Sequence, residues 1–218
     1  MKYTNEIIEG RFISRPNRFI AKVEIGGSEE TVHVKNTGRC RELLLPGVKI
    51  YLEKAGNLER KTKYDLIAVE KEGLGIVNID SQAPNKAVHE WLLKKDYTLV
   101  KPEYKYGNSR IDFYMERGDE KYLLEVKGCT LEIDGKGYFP DAPTTRGAKH
   151  LHELIRASEE GIHAVAAFVI PMEGVTEVVP YRENDPEFAD AYELAVKSGV
   201  EIWNLPCRVD RDGFEIIV

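Results

Sequence analysis

Cysteine is scarce and scattered. Cys40, Cys129 and Cys207 are the only three, and no two of them form a C-x-x-C pair. An odd, widely spaced set neither staples a small secreted fold nor outlines a zinc site, and it suits a reducing compartment. No apolar run reaches the length of a membrane span, so no transmembrane helix is expected. The opening Met1-Lys2-Tyr3-Thr4-Asn5-Glu6 has no apolar leader, and a cytoplasmic protein is expected. Internal repeats are lacking. Gly135-Lys136-Gly137 has neither the spacing nor the following helix of a phosphate-binding loop, and no sugar-binding motif is present. An excess of positive charge is lacking too. The formal net charge is −6, a weak argument against a nucleic-acid partner for the chain as a whole.

The charge is unevenly placed, which matters more than its sum. Residues 1–80 carry 14 Lys and Arg against 12 Asp and Glu, whereas residues 81–218 carry 17 against 25. The first part can therefore present a basic face. With 218 residues, 42% of them hydrophobic, the chain can build a substantial core in one or two domains.

Residues 1–80 read as all-β. Phe19–Ile25 and Thr31–Val34 flank Gly26-Gly27-Ser28, a hairpin signal. Val48–Glu53 and Tyr64–Val69 are further strands, and Arg41–Leu45 is one helical turn ended by Pro46-Gly47. Short strands with one helical turn suit a small OB-type barrel. From residue 81 the pattern changes. A helix is expected over 84–95, with Pro84 in its first turn and Val88, Trp91 and Leu92 as its apolar stripe. Strand-like Tyr97–Val100 and a hairpin over 110–127 follow, then a polar, Gly-rich loop. A second helix spans about 146–160, with Leu151, Leu154 and Ile155 inward and Gly161 as its stop. His163–Ile170 reads as a buried central strand. A third helix over 186–197 leads to strand Val200–Trp203 and a terminal hairpin around Asp212-Gly213. Helix, three strands, helix, strand is an α/β sandwich with a mixed sheet.

The hairpin carries the chemistry. Arg110–Met115 and Tyr122–Lys127 flank the turn Arg117-Gly118-Asp119-Glu120. Alternation places Glu125 and Lys127 on one face, and puts Asp112 opposite Ile111, Phe113 and Met115. If the register joins these faces, two carboxylates and an ammonium converge. Such a pair can hold a magnesium ion, which activates water and neutralises a phosphodiester, while a lysine orients the water or stabilises developing charge. The competing reading is a solvated strand face with cross-strand ion pairs.

This order, with Asp on one strand and Glu-x-Lys on the next, resembles the PD-(D/E)xK nuclease fold. The resemblance implies magnesium on Asp112 and Glu125, with Lys127 assisting the attacking water and Glu90 of the preceding helix joining them. Ile111 stands where that pattern often has proline. Nearly the whole chain also resembles the sugar fermentation stimulation protein family. The likeness rests on Asn36-Thr37-Gly38-Arg39, Ser109–Phe113, Glu125–Leu131, Phe139–Gly147 and Lys149-His150-Leu151. It implies an OB-like domain (residues 1–80), a nuclease-like domain (residues 81–218) and DNA as the partner.

The site expected on these grounds has Asp112, Glu125 and the Val126 carbonyl holding Mg2+ (or Mn2+). Lys127 is the catalytic lysine, and Glu90 or Asp141 completes the shell. Glu90 is alternatively a solvated helix residue, and Asp141 alternatively a turn or cap. Arg146 and His150 share a helix face, as phosphate clamp and proton relay or as plain surface residues. Arg11, Arg15, Arg18, Asn36 and Arg39, with Arg110 and Arg146, are the expected nucleic-acid contacts, and Arg41 adds a further donor. Phe12 and Phe19 are read as core. The function expected is metal-dependent phosphodiester hydrolysis on DNA. The alternative is a non-catalytic DNA-binding regulator of sugar-metabolism genes on the same scaffold. A membrane is not an expected partner, and a homodimer is compatible with the sequence.

Overall fold

A computed structural model describes every residue except Thr37 and Leu58; the Thr37 of the Asn36–Arg39 segment therefore lies outside the described residues. The first six strands are β1 (Ile7–Asn17), β2 (Ile20–Ile25), β3 (Ser28–Val34), β4 (Lys49–Lys54), β5 (Tyr64–Lys71) and β6 (Gly75–Asn78). Antiparallel ladders run β3-β2-β1-β4-β5-β6, and a parallel β3–β5 pairing at His33↔Asp65 and Val34↔Leu66 closes the first five into a barrel. The β2–β3 turn is Gly26-Gly27, with φ of 57° and 82°, the left-handed pair that a two-residue hairpin requires. Phe12, Ala21, Val23, Val32, Ile50, Leu52 and Leu66 fill the interior, each large aliphatic stabilising by roughly 1.5–3 kcal/mol. Arg41–Leu45 does make one turn, with Leu44 N–H donating to the Cys40 carbonyl at 2.9 Å. Phe12 is core, but Phe19 is not, being 50% exposed. The Asn17 side chain accepts from the backbone N–H groups of Phe19 and Ile20, bending the chain tightly so that the ring points outward.

The remaining elements are α1 (Ala83–Leu92), β7 (Leu99–Tyr106), β8 (Ser109–Arg117), β9 (Glu120–Gly128), β10 (Leu131–Ile133), β11 (Lys136–Phe139), α2 (Thr145–Glu159), β12 (His163–Ile170), β13 (Val178–Pro180), α3 (Pro186–Lys197), β14 (Glu201–Asp210) and β15 (Gly213–Ile216). The main sheet has the order β15-β14-β12-β9-β8-β7. Its centre, β9-β12-β14, is parallel and its flanks are antiparallel, so it is the mixed sheet expected. Val88 and Leu92 of α1 pack on one face with Phe113, Met115, Leu124 and Val126. Leu151, Leu154 and Ile155 of α2 pack on the other with Leu123, Phe168 and Phe188. That second core continues without a break into the barrel interior. Among the described residues no helix is long and apolar enough to cross a membrane.

Residues 128–137 are not the loop expected. β10 and β11 form a hairpin about Asp134-Gly135, with φ of 51° and 79°, and β13 joins it as a third strand. Caps fix the later helices: the Thr144 hydroxyl accepts from Gly147 N–H and the Asp185 carboxylate from Phe188 N–H. Asp185 also accepts from Thr144 N–H at 2.7 Å, so one side chain ties the starts of both helices together.

A buried charge network lies beside the barrel. The Lys35 ammonium is 3.0 Å from Asp80, 3.5 Å from Asp65 and 3.7 Å from Glu53, and Arg60 also pairs with Asp65 at 2.7 Å. Burial opposes the charge on Lys35, but Asp80 and the other carboxylates outweigh it and raise its pKa. Removing one partner from such a network strands the others' charge in a poorly hydrated place. Lys35→Met should therefore lower unfolding stability at pH 7 by about 3–5 kcal/mol, read as a fall in the urea midpoint. A wild-type midpoint would mean that the three carboxylates are hydrated and need no lysine.

Candidate metal centre and nucleic-acid groove

Four elements converge on one carboxylate pair. Strands β8 and β9 are paired as far as Phe113↔Leu124. Beyond that point the backbone ladder gives way, and Asp112 takes over the bonding. Its Oδ2 accepts from Val126 N–H and its Oδ1 from the Asn85 side-chain amide, both at 2.7 Å. On β9, Leu124 and Val126 face α1, so Glu125 and Lys127 face α2, as the two-residue period requires. There the Lys127 ammonium donates to Glu125 Oε1 at 2.5 Å, and His150 Nδ1 donates to the same oxygen. Arg146 Nε donates to His150 Nε2 at 3.4 Å, which leaves the ring proton on Nδ1, aimed at the carboxylate. Gly128 makes the assembly compact: a Cβ there would lie 2.9 Å from Cγ of Pro84, so glycine lets the start of α1 approach β9.

Glu125 is only 3% exposed, and its second oxygen, Oε2, is buried without a hydrogen-bond partner. A buried anionic oxygen left bare is costly, and a cation beside it would relieve that cost. Asp112 and Glu125 line one cavity of about 570 Å³ with Lys127, Val126, Asn85, Glu103 and Arg146. The donor set, oxygen-rich with two carboxylates and an amide, fits a hard divalent ion. Among the described residues no three His, Cys, Asp or Glu side chains converge as a ready-made metal cluster.

The two carboxyls respond oppositely to their surroundings. Burial and the neighbouring Glu125 charge raise the pKa of Asp112 against weaker pulls from Val126 N–H, Lys127 and Asn85. Burial also pushes Glu125 upward, but Lys127 and His150 outweigh it and leave that pKa lowered.

Several expected residues are elsewhere. Glu90 is turned about 140° around α1 from Asn85 and pairs with the amino group of Met1 at 3.0 Å. The helix offers the site amides instead: Gln82 and Asn85 line the cavity. Asp141 is held across the domain junction, accepting from Arg39 N–H at 3.0 Å, and it lines a neighbouring cavity rather than that of Asp112. Arg15 lines that neighbouring cavity too, but its guanidinium is engaged, donating to the carbonyls of Arg18, Asn36, Gly38 and Arg39. Asn36 is also structural, donating to the Ile79 carbonyl and accepting from Gly38 N–H. Arg11 lies outside both cavities, bonded to the Gly47 carbonyl. Arg110 is exposed and pairs with Glu103 at 3.3 Å. Ile111 does not share a core with Phe113 and Met115, for it packs on the α2 side and they pack on the α1 side.

Sequence reasoning missed Asn85, Gln82 and Glu103. The first two had a usable signal, because a helix whose first turn faces a site presents the residues of that turn. Glu103 had none, since it precedes the recognised hairpin. The neighbouring cavity, about 690 Å³, is lined on the barrel side by Arg15, Arg18, Asn36, Arg39 and Arg41. Ser81, Phe139 and Thr144 line both cavities. Basic barrel loops and the carboxylate pair therefore share one groove.

Comparison with known proteins matches this architecture. A family model described as the SfsA N-terminal OB domain covers residues 13–79, and one described as the sugar fermentation stimulation protein RE domain covers residues 82–213. A sugar fermentation stimulation protein homolog of Clostridium beijerinckii is 53% identical over 99% of this chain and 96% of its own length. One from Desulfitobacterium hafniense is 52% identical over 99% and 95%. The solved structure of Pyrococcus furiosus SfsA in complex with Ca2+ aligns with a TM-score of 0.86 at 29% identity, over 98% of this chain and 95% of that one.

Asp112→Asn tests the electrostatics. The asparagine oxygen keeps the bond from Val126 N–H, a flipped Asn85 amide meets the new side-chain amide, and the repulsion with Glu125 disappears. In chelator the variant should melt higher than wild type, by on the order of 2–4 °C for each kcal/mol relieved in a chain of this size, while losing affinity for Mn2+. A lower melting temperature would show that Asp112 is held by favourable bonds rather than strained by its neighbour. In wild type the raised pKa of Asp112 lets protons compete with a cation at higher pH than at an ordinary aspartate. Affinity should therefore fall with decreasing pH earlier than at an ordinary aspartate, as titrations across acid pH would record.

Proposed function

Because the chain belongs to the sugar fermentation stimulation protein family, whose OB barrel and mixed-sheet α/β unit it shares, we propose that it is a DNA-binding, divalent-metal-dependent phosphodiester hydrolase. The observation that carries the reading is the bare, buried Oε2 of Glu125, a residue that lines one cavity with Asp112 and Lys127. Asp112, Glu125 and the Val126 carbonyl are the groups that would hold Mg2+ or Mn2+. A bound ion supplies a Lewis acid for the phosphate and lowers the pKa of its water.

The chain's own residues do the rest. His150 and Lys127 fix the rotamer of Glu125 through Oε1, leaving Oε2 for a cation. The Lys127 ammonium is placed to orient the attacking water and to offset charge developing on the phosphate. Arg146, anchored on His150 through Nε, keeps its terminal nitrogens for a phosphate oxygen. Further along the groove, Arg18, Arg39 and Arg41 contact the backbone of the nucleic acid, and exposed Phe19 beside Arg18 offers a stacking face.

A second reading, a DNA-binding regulator with no useful catalysis, draws on one observation. Where a helix carboxylate was expected, α1 presents only the amides of Gln82 and Asn85. Incubation of the purified protein with labelled single- and double-stranded DNA, in Mg2+, in Mn2+ and in chelator, separates the two readings. Cleavage that requires metal supports the hydrolase; retention of DNA without cleavage under any of these conditions supports the regulator.

Lys127→Ala should slow metal-dependent cleavage by about 100-fold or more and leave DNA retention in chelator unchanged. Equal rates would remove lysine from the chemistry. Replacing Arg18, Arg39 and Arg41 with alanine should weaken binding to all sequences alike. It should also flatten the plot of log affinity against log salt by roughly one unit per lost phosphate contact. Superimposable salt titrations of variant and wild type would show that the barrel side of the groove does not touch DNA.

A further inference from the structure

We infer that Glu103 supplies the third carboxylate of the cation site, taking the role that α1 leaves unfilled. The inference rests on the metal-dependent reading of the Asp112–Glu125 pair. Three independent features single Glu103 out.

The first is its backbone. Glu103 has φ of 57° in the middle of strand β7, a left-handed conformation that side chains with a Cβ adopt at a cost. Such conformations persist where the surroundings over-determine them, and they cluster at functional sites. The second is register. Pro102 pairs with Phe113 and Tyr104 with Ile111, so Glu103 stands across the ladder from Asp112. At this point the whole β7–β8 ribbon changes cores. Val100, Phe113 and Met115 pack with α1, whereas Tyr104, Tyr106 and Ile111 pack on the α2 side. The turn-over at Glu103 and Asp112 frees both side chains from the two cores. The third is the cavity, which Glu103 lines together with Asp112, Glu125 and Lys127. Among the described residues its one partner is Arg110, at 3.3 Å, and both side chains are well exposed, at 61% and 70%. An exposed pair of this kind holds its members weakly. The carboxylate can leave Arg110 for a cation on Glu125 Oε2, whose other oxygen is already occupied by Lys127 and His150.

The test uses the full chain and Mn2+ alone, with affinity measured by calorimetry at neutral pH and thermal melting recorded in chelator. Glu103→Gln keeps the backbone and removes the charge; Glu103→Gly removes the side chain and suits the left-handed turn. Both should bind Mn2+ about 10-fold more weakly or worse, the usual scale for losing a supporting group at a metal, and the glycine variant should melt no lower than wild type. Mn2+ affinity unchanged in Glu103→Gln, with wild type binding and Asp112→Asn not binding, overturns the role of Glu103 and leaves the metal site standing. Wild type that binds no Mn2+ overturns the metal-dependent reading itself. A glycine variant that melts lower while Glu103→Gln keeps wild-type affinity makes Glu103 a purely structural residue, which also overturns the inference.

Discussion

Glu125 is an anion almost without water, and the packing of α2 against β9 is arranged around making that tolerable. Isolated in an apolar interior, a carboxylate would protonate or unfold its surroundings. Here Lys127 from the same strand and His150 from α2 converge on one oxygen, and together they hold the group ionised. His150 reaches it only because Thr144 caps α2, Asp185 ties that cap to α3, and Gly147 allows tight packing at the first turn. The orientation of Glu125 is thus a product of helix capping as much as of the strand that bears it. The second oxygen is left over, buried and without a bond from the described residues.

The legible and illegible parts of the sequence divide along physical lines. Glu125 and Lys127 were placed correctly because they lie on a regular strand, where a period of two decides the face. Asp112 was found for the right residue type but assigned the wrong surroundings, since the ribbon changes cores at that residue and Ile111 parts from Phe113. A periodicity argument presumes one unbroken pleat and is blind to a left-handed residue on the partner strand. The hairpin at Asp134-Gly135 was missed although the dipeptide is a strong turn signal, because its strands are too short and polar to show alternation. Glu90 was preferred over Asn85 on charge alone, whereas direction around the helix decides which side chain enters the site.

The arginines show a related limit. Composition identified a basic stretch at the barrel but could not separate the arginines that build it from those that face outward. Arg15 closes four carbonyls of the β1–β2 and Asn36–Arg39 loops, a fixed-fork donor used as internal mortar. By doing so it shapes the loops that present Arg18 and Arg39 to the groove. One arginine's bonds to these loops are the condition for the others' availability.

The apolar core that runs from under α2 into the barrel also constrains motion. Two domains joined by a small polar contact rock against each other by default. Here Leu151 and Phe168 belong to the same continuous cluster as Val32 and Leu66, so a hinge between the halves would have to open oil to water. The groove between barrel and sandwich is therefore a slot of set gauge rather than a jaw. Such a slot selects what enters by girth before any side chain recognises it.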